Sequence, residues 1–120
     1  MSAQIRFRTR PGYQSRDLLV ELMADHRAPG FPDVPAMLRD ELGAFRAPHP
    51  GGLDNPHLNL IDRQITFWTY PGGSYEIDDD NWGLFILAPE NNVSVIADIE
   101  RVLLETGLFE KQSVDFEQFR

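Results

Sequence analysis

The chain of 120 residues contains no cysteine, so neither a disulfide framework nor a thiolate metal site is available, and the redox compartment stays open. No apolar run approaches the roughly 20 residues needed to cross a bilayer. Residues 1–13 carry Arg6, Arg8 and Arg10 among isolated apolar side chains, without the hydrophobic segment of a secretory leader, and a cytoplasmic location is the expectation. No glycine-rich loop opens a helix, and none of the five serines stands in a strand-to-helix elbow. The fingerprints of nucleotide binding and serine hydrolysis are therefore missing. No internal repeat, heptad or low-complexity segment interrupts the chain. With 42% hydrophobic and 11% aromatic residues, it is long enough for one domain spanning 1–120 with its own core, and too short for two.

Positive charge is scarce where negative charge is dense. The formal net charge is −8, and residues 76–120 hold three bases against eleven acids, whereas residues 1–30 hold five arginines against three acids. Such a balance repels phosphate backbones, so neither nucleic acid nor an anionic membrane is an expected partner. A basic protein is the better electrostatic match.

The stretch at 64–89, QITFWTYPGGSYEIDDDNWGLFILAP, organises the fold. Residues 65–70 set Ile65, Phe67 and Thr69 against Thr66, Trp68 and Tyr70, which reads as a central strand covered on both faces. Pro71-Gly72-Gly73 reverses the chain into a strand with Tyr75 and Ile77 on one side and Ser74, Glu76 and Asp78 on the other. A second turn at 79–81 leads to the apolar run 84–88, which Pro89 stops.

Earlier in the chain, residues 4–9 alternate like a strand, and Arg6 and Arg8 read as the solvated side of a sheet edge. Residues 15–27 read as a helix, with Ser15 as cap and Leu18, Leu19, Leu22 and Met23 as apolar stripe, which His26 continues. A second helix begins at the Asp33 cap, with Pro35 in the first turn and Val34, Met37, Leu38, Leu42 and Phe45 in helical spacing. After an irregular loop at 47–56, residues 57–61 resume strand-like alternation. Asn91 or Asn92 caps a helix reaching Thr106, Gly107 ends it, and the tail at 109–119 reads as a last strand. The expectation is a single α+β domain ordered β-α-α-β-β-β-α-β, with an antiparallel sheet of about four to six strands and helices packed on it.

Two stretches carry candidate chemistry. Asp78, Asp79 and Asp80, with Trp82 and Tyr75 near them in sequence, form an acidic and aromatic set of the kind that grips Arg or Lys on a basic protein. Read as a calcium loop, the same stretch matches at Asp78, Asp80 and Gly83, but Trp82 stands where an oxygen ligand belongs and Pro89 where a bidentate glutamate belongs. The loop at 47–57 collects His49, Asp54 and His57, metal-capable or acid-base types without the spacing of an established metal motif. No metal, cofactor or catalytic residue is assigned on this basis. In size, acidity and absence of cysteine, the chain resembles the small immunity proteins that neutralise bacterial toxins, a resemblance of general character that covers no motif. It implies a non-catalytic binding domain of inhibitor or immunity type for a basic partner. A small metal-dependent or acid-base enzyme built on the 47–57 loop, and a self-associating structural domain such as a homodimer, are the alternatives.

Overall fold

The computed structural model describes residues 5–11, 17–24, 29–47, 63–80, 83–112 and 114, the side chains of Arg63, Gln64 and Asp80 excepted. The element order is β1 (Ile5–Pro11), β2 (Leu18–Leu22), α1 (Val34–Leu42), β3 (Phe45–Ala47), β4 (Arg63–Tyr70), β5 (Gly73–Asp80), β6 (Gly83–Leu87), α2 (Asn92–Glu105) and β7 (Phe109–Lys111). The α+β class is as expected. The sheet is larger, with seven strands in the order β3-β4-β5-β6-β2-β1-β7. It is also mixed, because β7 pairs in parallel with β1 while every other neighbouring pair is antiparallel.

The largest departure from expectation is β2. The spacing of Leu18, Leu19, Leu22 and Met23 reads as the apolar stripe of a helix at 15–27, but residues 18–22 form a strand bonded to β1 on one edge and β6 on the other. The segment LLVEL fits both periods, since Leu18, Val20 and Leu22 share one strand face and Leu18, Leu19 and Leu22 share one helix face. Pairing on both edges over Leu19–Leu22 engages the backbone of β2, and this outweighs the local helical preference of leucine. β1 is in turn an interior strand, with β2 on one edge and β7 on the other. Arg8 and Arg10 accordingly bond to Glu21 on β2, Nε to Oε1 at 2.6 and 2.8 Å, instead of lining a sheet edge.

The hairpin at Pro71-Gly72 forms as its residues require. Tyr70 pairs with Gly73 across the turn, and Gly73 has φ +150, where a Cβ would stand 2.8 Å from Val95 Cγ2. The register aligns Trp68 with Tyr75 and Thr66 with Ile77, and continues through Ile86 to Val20, Thr9 and Phe7. Both helices lie over this face. Val34 and Leu38 of α1 and Val95, Ile96, Ile99, Val102 and Leu103 of α2 close the core against it. Asp33 caps α1 by accepting the Ala36 N–H at 3.2 Å, and Gly43 ends it in the left-handed conformation with φ +69. Phe45, expected on the apolar stripe of that helix, falls beyond this stop on β3 and is 61% exposed.

The other sheet face, where cover of residues 65–70 was also expected, carries no helix among the described residues. Ile65, Phe67, Phe85 and Leu87 there are half-buried. Among the described residues, the run at 84–88 likewise has a helix on one side only. β4 lies next to the edge strand β3, and β6 is the middle strand. The strand read at 57–61 and most of the tail lie outside the described residues. β7 begins the tail where a last strand was expected.

Candidate functional site

The acidic run is strand before it is loop. Asp78, Asp79 and Asp80 belong to β5, opposite Ile65, Gln64 and Arg63, and strand alternation sends the side chains of Asp78 and Asp79 to opposite faces. Asp78, 8% exposed, lies on the helix-free face, whereas Asp79 lies on the helix-covered face with Ile77. Tyr75 is 1% exposed in the core, its ring near-parallel to Trp68 at 6.4 Å and tilted against Tyr70 at 6.0 Å. Neither Asp78 nor Tyr75 offers a partner much surface. Trp82 lies outside the described residues, as do His49, Asp54 and His57. Among the described residues, no group of three or more histidine, aspartate or glutamate side chains could hold a metal ion.

Asp79 opens instead onto a solvent-accessible groove of about 430 Å³ between the start of α1 and the end of the sheet. The αL turn at Gly43 sends the chain directly from α1 into β3, and the β3–β4 register sets Arg46 opposite Trp68. Phe31, Pro32 and Pro35 form one wall, where proline fixes the entry to α1. Trp68, Ile77 and Leu84 form the sheet floor. Three charged side chains line this apolar space: Asp33 at the helix cap, Asp79 on β5 and Arg46 on β3.

The guanidinium of Arg46 lies over the Trp68 ring with Cζ 5.6 Å from its centroid. The ring itself is fixed: Trp68 Nε1 donates to Thr66 Oγ1 at 2.9 Å, and Tyr75 stacks alongside. Burial, then the Asp98 carboxylate, pushes the Tyr70 hydroxyl up from its ordinary value, and it donates to Asp98 Oδ2 at 2.6 Å. Burial alone pushes the Tyr75 hydroxyl up, and its Oη is buried without a hydrogen-bond partner among the described residues. This aromatic row forms a rigid back to the groove. It supplies no acid or base near neutrality.

A second groove, of about 510 Å³, lies between α2 and strands β1 and β7. Its charges are mutually satisfied, since Thr9 donates its hydroxyl to Glu100 and Lys111 Nζ sits 2.8 Å from the same carboxylate. The first groove brings both signs of charge beside apolar walls, whereas in the second Glu100 is taken up by Thr9 and Lys111. The sequence singled out Asp79 through its acidic neighbours but gave no sign of Arg46. Arg46 and Trp68 are 22 positions apart and meet only through strand pairing, and the nearest available hint was the arginine following a helix stop.

The fold and the groove define an α+β domain with helices on one face of a seven-stranded mixed sheet and a charged, aromatic cleft at one end of that face. No protein-family model, curated protein or solved structure matches the chain. Among the described residues, no helix is long and apolar enough to cross a membrane.

Proposed function

We propose that this chain is a non-catalytic binding domain of inhibitor or immunity type that docks a basic protein partner in the groove beside α1. The observation that carries this reading is the placement of Asp33 and Asp79 beside the apolar walls formed by Phe31, Pro32 and Trp68. A cationic side chain entering there meets carboxylates while its aliphatic stem covers apolar surface. The net charge of −8 supports the same polarity of partner, by steering a basic surface toward the domain.

The test compares the wild-type domain with the double variant Asp33→Asn, Asp79→Asn. Asparagine retains the helix cap and the shape of both side chains while removing two charges. Both proteins are immobilised and exposed to lysate, bound protein is eluted with salt, and the captured protein is then purified for titration. A basic protein that binds wild type and is lost by the variant is the expected result. Equal affinity for both forms overturns the groove, and no saturable partner on either overturns the binding reading. Self-association is a second reading, favoured by Phe45, which stands 61% exposed on the three-residue edge strand β3. Light scattering across a concentration series tests it, and a constant monomer mass removes it.

A further inference from the structure

The described helices lie on one face of the sheet. On the other, cross-strand pairing sets apolar side chains side by side from β3 across to β2: Ala47, then Ile65 and Phe67, then Phe85 and Leu87, then Leu19. Phe45, at the β3 end of this face, is 61% exposed. The Phe85 ring lies on the middle strand against Gly83, where a Cβ would meet it at 3.4 Å. The charged groups of this face are already engaged within the chain. Glu21 takes Arg8 and Arg10, Arg6 sits on Glu110, and Glu76 and Asp78 have interactions of their own. A charged partner therefore finds no open counter-charge there, whereas an apolar face whose charges are paired internally is a match for its own copy.

The extent of the face is that of an interface. At roughly 3.3 Å rise per residue and 4.8 Å between strands, the seven strands cover about 600 Å², so two such faces in full contact remove about 1,200 Å², the lower end of stable, specific interfaces. We infer that a second copy of this chain packs on the helix-free face, sheet against sheet at about 10 Å, around a two-fold axis running along β6. That axis sets Phe85 and Leu87 against the same residues of the other copy, with β5 over its β2 and β4 over its β1. This rests on the self-association reading above and moves the contact from the β3 edge to the centre of the sheet. Both helices and the groove beside α1 stay outward, so dimerisation leaves the surface for a basic protein open.

Sedimentation equilibrium of the full chain at low and high salt tests this. The expected result is a monomer–dimer equilibrium that tightens about threefold or more between 10 and 300 mM salt, because screening relieves the repulsion between two domains of net charge −8 and leaves apolar contact intact. Phe85→Lys and Leu87→Lys should each weaken the dimer by about 30-fold or more, the effect of losing a central anchor. Both positions are half-buried, where the stem of a lysine can lie on the sheet, so both variants keep the far-UV spectrum of wild type. A dimer that survives both substitutions is joined elsewhere, through β3 or the helices, and overturns the face while leaving self-association standing. A dimer that weakens with salt is held by charge and overturns the apolar contact in the same way. A constant monomer mass overturns the face and the self-association reading together.

Discussion

Two neighbouring tyrosines in one aromatic row carry opposite hydroxyl balances. Tyr70 donates to the Asp98 carboxylate at 2.6 Å, so Tyr70→Phe removes a charge-assisted bond and leaves that oxygen short of a donor. The expected cost is about 1–2 kcal/mol in urea unfolding at pH 7. Tyr75 keeps a buried hydroxyl without a partner among the described residues, so Tyr75→Phe removes a desolvated dipole and retains the stacked ring. That variant is expected to match or exceed wild type by up to about 1 kcal/mol, and a loss of similar size in both would show that Tyr75 is satisfied after all. Glu21 sets a pH response. Burial pushes its carboxyl up, but hydrogen bonds from Arg10 and Arg8, reinforced by their charges, hold it below its ordinary value of 4.5. A carboxyl lowered on folding adds stability above the unfolded value, and that contribution is lost as pH falls through the folded value. The stability gap between wild type and Glu21→Gln should therefore be open at pH 7 and narrow below about pH 4.5. A gap independent of pH would refute the assignment.

At the scale of elements, α2 is tied to the sheet by a residue that does not cap it. Asn91 occupies the N-cap position, with φ +50 and no side-chain capping bond. Asn92 turns sideways: its Oδ1 accepts the Leu18 N–H, and its Nδ2 donates to the carbonyls of Leu18 and Ala88, each at 2.8 Å. One amide thus joins the start of β2, the end of β6 and the start of α2. Asn92→Ala should cost about 2–3 kcal/mol, near the sum of three ordinary bonds, and Asn92→Asp should do no better, because it loses the donor. Wild-type stability in Asn92→Asp would show that the bonds to the carbonyls contribute nothing. Elements with chemical punctuation were legible from sequence: β4 and β5 around Pro71-Gly72, α1 after Asp33, and α2 before Gly107. β2 was not, because LLVEL satisfies both periods and its choice is made by pairing with β1 and with β6, the latter more than 60 residues further along the chain. The groove was half legible for the same reason. Asp79 belongs to a visible acidic run, while the meeting of Arg46 with Trp68 depends on strand register.

For the whole molecule, salt should act with opposite signs on folding and on docking. The excess of acids repels itself in the compact state, and screening relieves that repulsion beyond about 10 Å at 0.1 M salt. Exposed pairs such as Arg6–Glu110, with side chains 66% and 45% exposed, lose little when screened, and the less exposed Glu21 pairs are screened less. Raising salt from about 10 to 300 mM should therefore stabilise the isolated domain by about 1 kcal/mol, or roughly 4 °C in Tm. Docking of a basic partner draws on the same field as attraction, so its association rate and affinity should fall over that range. Thermal melts and binding titrations on one salt series separate the two effects. A Tm that falls with salt would mean that the ion pairs outweigh the net repulsion. Affinity that rises while Tm also rises would place docking on an apolar surface, with the charge of the groove having no part in it.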